Sequence, residues 1–363
     1  MDHMIDLQLN YPVLDGHEEL LKSTMVQALS EIDEIIPICK TGGELADREV
    51  GAKWLSQPGY AVAWKNVFIG MGGHNALVTA ILSANLNNKV MATDELTYSN
   101  FKAIARLMGL KIIPCVGDAD GMTPSALAKA CETFGVEAVY LMPTVNNPLG
   151  SVMPLRRREE IIAVARENHL VIIEDDAYGF LEDVIIPSFF HLAPERSFYI
   201  YSFSKPLAQA IKTSYLLAPD RYAERVIDSL RLTGSTPSAL STLTLNKLIA
   251  RGALQSIIAA KRQEGNFRQQ QARRLLNNYE VIGHKNGWHF WIPLPPNINS
   301  ANLSHLLFDR GVLVVSSDKF AIHEVSHEQG IRVAMGAELD FDSVIKGITI
   351  LKEELQKLFQ PDA

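Results

Sequence analysis

Short apolar runs alternate with helix-period stretches between about residues 67 and 219. The runs fall at 67–69, 89–93, 110–113, 137–141, 170–173, 197–201 and 214–217. Several are nearly continuous Val, Ile, Leu, Tyr and Phe, as strands buried on both faces of a mostly parallel sheet are. Between them, residues 75–86 place Leu77, Ala80, Ile81 and Ala84 on one helical stripe, and 155–168 read as another helix. The pattern predicts an α/β fold: a three-layer αβα large domain around a mostly parallel seven-stranded sheet.

From about Asn246 the texture changes. A long polar helical stretch over 260–279 leads into Trp288-His-Phe-Trp-Ile-Pro-Leu, followed by β-rich runs at 312–315 and 331–333. The chain closes on an amphipathic helix carrying Phe341, Val344, Ile345, Ile348, Leu351, Leu355 and Leu358. The expected division is an N-terminal segment, 1–45, joining a small α+β domain of 246–363, with the large domain at 46–245. The length of 363 residues agrees with two domains at about 150 residues each.

Composition narrows the classes. With 47% hydrophobic and 21% charged residues and a net charge of −7, the chain reads as a globular enzyme rather than a nucleic-acid binder, which wants a basic surface. Cys39, Cys115 and Cys131 form neither a disulfide framework nor a paired zinc motif. The acidic start lacks the order of a signal peptide, and the longest uncharged stretch, 66–88, is too rich in Asn and Gly for a membrane span. A reducing cytoplasm and no membrane partner are expected.

Four segments could carry chemistry. Gly70-Met-Gly-Gly-His-Asn75 lies between a strand and a helix, where glycines and helix N–H groups can cradle a phosphate. It could equally be a tight turn, or a dinucleotide fingerprint with Asp94 downstream, although Asn75 stands where the third glycine belongs. Asn146-Asn-Pro-Leu-Gly150 follows a strand at the ligand-binding end of such sheets, or is a β-turn. In Glu174-Asp-Asp-Ala-Tyr178, Asp175 and Tyr178 can face one cavity, while adjacent acids can also bind Mg²⁺ or cap a helix. In Ser202-Phe-Ser-Lys205, a buried lysine would have the lowered pKa a nucleophilic amine needs; a surface lysine is the plainer reading.

Taken in order, Gly72-Gly-His, Tyr98, Asn147-Pro-x-Gly, Asp175-x-x-Tyr178, Ser202-x-Ser-Lys205 and Arg332 resemble the fold-type I pyridoxal-phosphate (PLP) aminotransferases of class I/II. Asp120-Gly-Met-Thr-Pro and the segment ending Ala-Lys-Trp-Leu55 add to the likeness, as do separations of 28 residues from Asn147 to Asp175 and 30 from there to Lys205. The resemblance implies that Lys205 holds PLP covalently and shuttles a proton, and that Asp175 pairs with the pyridine nitrogen. It implies that Asn147 and Tyr178 bond the ring oxygen, and that Tyr98 stacks on the ring. Gly73, His74, Ser202, Ser204 and Lys212 would hold the phosphate. Arg332 would grip the substrate carboxylate, with Asn147 and Asn10 beside it. A homodimer acting on an amino acid and a 2-oxo acid is implied as well, without a metal.

Departures from the pattern bear on affinity and substrate. Lys212 stands where the family has arginine, after Ile211 instead of glycine, and Pro206 follows the lysine directly. Leu96 and Asn10 replace a common proline and glycine, His74 replaces Gln or Thr, and no aromatic stands near 38–40. Specificity is expected around Tyr11, 16–20 and 316–324. Trp288-His-Phe-Trp291 reads as packing, Cys115 and Cys131 as buried hydrophobes, and Arg156-Arg-Arg158 as a solvated helix start. Other PLP chemistry at Cα or Cβ remains open. A non-catalytic sensing module is disfavoured by the absence of a basic helix-turn-helix in the first 66 residues, and a dehydrogenase leaves Lys205, Asp175 and Asn147 unexplained.

Overall fold

The computed structural model describes residues 4–31, 39–234, 236–322 and 328–359. Its centre is a seven-stranded sheet in the order Val67–Gly70, Ser214–Leu217, Ser197–Ser202, Val171–Asp175, Ala138–Leu141, Val90–Asp94 and Lys111–Cys115. All seven strands match apolar runs of the sequence, and all pairings are parallel except those of Ser214–Leu217, which is antiparallel to both neighbours. Strands such as Ala138–Leu141 and Val171–Asp175 are buried at every residue, because helices cover both faces. The α/β expectation holds.

The parallel strands end on one edge, at Gly70, Asp94, Leu141, Asp175 and Ser202, and Ser214 pairs with both Gly70 and Ser202 there. Ligands bind open α/β sheets at this edge because strand-to-helix turns and helix N-termini converge on it.

A second core is built from the two ends of the chain. Ile5–Asp6 pairs in parallel with Val312–Leu313, and Ile5 and Leu7 share an apolar cluster with Phe290, Val333, Val344, Ile348 and Leu351. A three-stranded antiparallel sheet has Gly330–Ala334 between His289–Pro293 and Val315–Ser316. The run expected at 312–315 is thus two short strands in different sheets. The helix Ala253–Leu275 serves both cores: Leu254, Ile257 and Ile258 pack with the large sheet, and Ala272 with the second cluster. The helix His17–Leu29 lies against Ala239–Ala250.

The basic run Arg156–Arg158 departs from expectation. Arg156 is exposed, but Arg157 and Arg158 are buried. Arg158 donates to Thr144 Oγ1 at 2.8 Å, to Met153 O at 3.1 Å and to Glu174 Oε1 at 3.4 Å, with Pro143 O and Pro187 O completing its shell. A run of like charges cannot reveal this, since four of the five acceptors lie 14 or more residues away along the chain. No described helix is long and apolar enough to cross a membrane.

Candidate active site

The strand Ser197–Ser202 delivers Lys205 into a cleft between the two cores. Its Nζ donates to Asn10 O at 2.7 Å and lies 3.1 Å from the centre of the Tyr11 ring. Burial holds this amine well below the usual lysine range, helped by the charges of Arg332 and Lys261 and opposed by Asp175. Lys205 is half-buried, with its amine on the Asn10 carbonyl and the Tyr11 ring, which departs from the plainer reading of a surface lysine. Tyr178 OH donates to the same Asn10 carbonyl at 3.4 Å.

Asp175 ends the neighbouring strand, where Tyr140 OH donates to its Oδ2 at 2.9 Å. Burial raises the Asp175 pKa to about 6, against the pull of the Tyr140 bond and the Lys205 charge. Tyr140 is in turn held by a parallel stack on Phe101, with ring centres 3.8 Å apart.

Arg332 is in the middle strand of the three-stranded sheet and is 7% exposed, so it is no edge-strand surface charge. Its Nη1 donates to Asn147 Oδ1 at 2.9 Å, its Nη2 donates to Gln8 O, and its Nε has no partner. The peptide bond from Asn147 to Pro148 is cis.

The glycine motif forms the opposite wall. Gly72, at φ +88°, precedes the helix Gly73–Ser83, whose first N–H groups lack intrahelical partners. A Cβ on Gly73 would stand 3.3 Å from Ser202 Cβ and 3.5 Å from Ser202 Oγ, so a side chain there would push the helix end back from the serine by a few tenths of an ångström. Ser202 and Ser204 share a hydrogen bond of 3.0 Å. His74 Nε2 meets Tyr98 OH at 2.9 Å with the two rings stacked, and Asn100 Nδ2 donates to the same hydroxyl at 3.0 Å. Burial, then Asp175, raises the Tyr98 pKa to about 12.

Lys205, Asp175, Asn147, Tyr178, Asn10 and Arg332 thus gather around one cleft, with Gly73, Ser202 and Ser204 at one wall. Lys212 is less engaged: it is exposed, in a left-handed conformation at φ +48°, and its charge reaches His74. Of the segment expected to set specificity, residues 323–324 lie outside the described residues, as does residue 38 of the 38–40 segment.

Four participants had no sequence signal. Tyr140, Gln8 and Lys261 are recognisable only from their contacts. His289 is the fourth, sitting inside the aromatic run read as packing. It is fully buried, with Nε2 3.0 Å from Asn146 O and Nδ1 2.8 Å from Asn10 Nδ2. A carbonyl only accepts, so Nε2 carries the hydrogen and Nδ1 accepts from the carboxamide. Burial lowers the His289 pKa to about 3, keeping the ring neutral, with the Arg332 charge as the next cause. This tautomer turns Asn10 Oδ1 away from the imidazole, where it has no partner.

The residues present fit PLP. A low-pKa amine, a buried carboxylate and a glycine-led helix end against paired serines are the donors and acceptors it requires, and the unpartnered buried guanidinium nitrogen is left for a substrate carboxylate.

The fold is that of PLP-dependent aminotransferases of known structure. Kynurenine aminotransferase of Pyrococcus horikoshii, in complex with PMP, superposes with a TM-score of 0.88 at 21% identity, covering 99% of this chain and 93% of that one. LysN, the α-aminoadipate aminotransferase of Thermus thermophilus, gives 0.85 at 20% identity over 98% and 92%. The family model for aminotransferase class I and II matches residues 2–348, and the chain belongs to that family. This removes the dinucleotide reading of the glycine motif.

Among curated relatives, the uncharacterised HTH-type transcriptional regulator YdeF of Bacillus subtilis is 25% identical over 98% of this chain and 77% of its own length. YjiR of Escherichia coli, likewise an uncharacterised HTH-type regulator, is 29% identical over 51% of this chain and 40% of its own. The 2-aminoadipate transaminase of Thermus thermophilus is 23% identical over 70% of this chain and 66% of its own. The chain spans about half the length of several of the regulators it matches.

Proposed function

We propose that the chain transfers an amino group between an α-amino acid and a 2-oxo acid, using PLP. The carrying observation is the pairing, in one cleft, of a low-pKa Lys205 with Arg332, whose buried Nε has no partner. When bound, PLP supplies the electron sink for bond cleavage at Cα. Lys205 holds the cofactor and, when released from it, moves a proton at the substrate Cα. Asp175 would pair with the pyridine nitrogen and keep it protonated, with Tyr140 fixing the carboxylate. Asn147 and Tyr178 would donate to the ring oxygen, and Tyr98 would cover the ring.

Gly73 and His74 N–H groups, with Ser202, Ser204 and the nearby charge of Lys212, hold the phosphate. Arg332 receives the substrate carboxylate bidentately, a geometry suited to guanidinium, with Asn147 and Asn10 lining the same subsite. The working unit is a homodimer of two-part subunits in a reducing cytoplasm, a compartment suited to the buried thiols of Cys115 and Cys131. The subunit comprises the large sheet unit and a smaller one made from both chain ends.

The test is direct. PLP-loaded protein should convert a donor amino acid to its 2-oxo acid and an acceptor 2-oxo acid to its amino acid, and Lys205→Ala should abolish both. Carbon dioxide or ammonia release in place of amino transfer would assign a different PLP reaction. The regulator relatives favour a second reading, in which the same site binds PLP and an amino acid as a signal. Saturable binding of both without turnover would establish it.

A further inference from the structure

Lys261 is a buried cation for which the reaction above has no use. It sits on the helix Ala253–Leu275 at 1% exposure. Its Nζ donates to Lys205 O at 2.8 Å and to Leu207 O at 3.1 Å, the two carbonyls that flank Pro206. No carboxylate among the described residues is bonded to it. Trp288 Nε1 donates to Lys261 O at 3.0 Å, so a tryptophan of the large-sheet core holds the main chain from which the side chain projects. The helix comes this close at Gly265, where a Cβ would stand 2.3 Å from Asn286 O.

An unpaired ammonium in the interior is expensive, and apolar replacement of a buried charge is often neutral or stabilising. A purely structural lysine would be poorly explained here. What it touches is the backbone that carries the reactive amine. We propose that Lys261 is a positioning residue: it fixes the carbonyls on either side of Pro206 and places a positive charge behind Lys205, disfavouring a second one on the Lys205 amine.

This inference rests on Lys205 being the cofactor lysine. The titratable groups around the Lys205 amine are Arg332, Lys261, Asp175, His74 and His289, with the Tyr11 and Tyr178 rings against it; His17 lies near Lys261, and burial, then the Lys261 charge, lowers its pKa. Arg332 and Lys261 disfavour the ammonium form and Asp175 favours it, so removing Lys261 raises the Lys205 pKa. Burial brings Lys261 itself down to about 7, so its charge acts most strongly below neutral pH.

The experiment traps PLP on the ligand-free protein with borohydride at pH 6, locates it by peptide mass, and follows exchange of the Leu207 amide, which donates to Phe203 O at 3.0 Å. One pKa unit is tenfold in neutral amine. Lys261→Met is expected to melt no lower than wild type, to be trapped about tenfold more slowly at Lys205, and to exchange Leu207 about tenfold faster. Lys261→Gln, which keeps donors but loses the charge, is expected to be trapped slowly with exchange closer to wild type. If Lys261→Met fails to fold, the trapping rate of Lys261→Gln decides. A folded variant trapped at the wild-type rate, or a folded Lys261→Met with wild-type Leu207 exchange, overturns the proposal. Trapping of wild type at lysines other than Lys205 would instead refute the assignment of Lys205, and Leu207 exchange would then judge Lys261 alone.

Discussion

Arg332 Nη1 donates to Asn147 Oδ1 at 2.9 Å, joining the middle strand of the small sheet to the loop after Ala138–Leu141 of the large one. The two residues are 185 positions apart. The bond orients the guanidinium and leaves Nε for an incoming group, so the carboxylate grip depends on both cores being in place.

Arg332→Lys keeps the charge and loses the planar fork. PLP affinity, read from the absorbance change on titration, should stay within a few-fold of wild type. Amino-acid affinity should fall on the order of 100-fold, as loss of a buried charge-assisted pair predicts. Equal weakening of both ligands would remove Arg332 from the substrate subsite.

Asp175 makes stability depend on pH in the ligand-free protein. Its folded pKa of about 6 lies above the ordinary 3.8, so the folded state holds the proton where the unfolded state has lost it. Stability from this group is therefore full below about pH 4 and declines as pH rises through 6. Asp175→Asn lacks the effect. Urea unfolding should show the variant gaining on wild type by up to about 3 kcal/mol between those pH values. A pH-independent difference would contradict this burial-driven shift.

Gly73→Ala places a methyl 3.3 Å from Ser202 Cβ. The helix end must retreat a few tenths of an ångström from the serine pair. PLP should bind several-fold more weakly while the melting temperature changes little, and unaltered binding would separate this wall from the phosphate.

Lys212→Arg supplies the fork that an ammonium lacks. PLP dissociation measured by dialysis or absorbance is expected to tighten about tenfold. Unchanged or weaker binding would show that the exposed, left-handed position is rebuilt around lysine.

Arg158→Met removes the cation that ties Thr144 and Pro143 to Glu174. Burial raises the Glu174 pKa to about 8 against the Arg158 charge, and Phe189 N–H still donates to it at 2.7 Å. Urea denaturation above pH 8, where Glu174 is ionised, should show a loss of about 3–5 kcal/mol, and a loss below about 1 kcal/mol there would show that the pair contributes little.

Much of this was legible in residue order. The inner strands of the large sheet are buried on both faces, so they had to be nearly unbroken apolar runs, and all seven strands of the sheet match runs in the sequence. Chemistry at strand ends was legible for the same reason: Asp175, Ser202 and Lys205 are polar residues set just where apolar runs stop. Arg157, Arg158 and Lys261 were not legible. Burial of an arginine or lysine depends on carbonyl acceptors supplied by remote segments, and no local pattern encodes them.

The sequence by itself determined the strand and helix periodicity, the order of the site motifs and the family to which they belong. Only the tertiary structure decided which groups share the cleft: Gln8 and Asn147 on Arg332, Asn10 on Lys205, Tyr140 on Asp175, and His289 between Asn10 and Asn146. The physical reason is range. Periodicity is written within a few residues, whereas a buried charge or an imidazole tautomer is set by partners that folding brings from opposite ends of the chain.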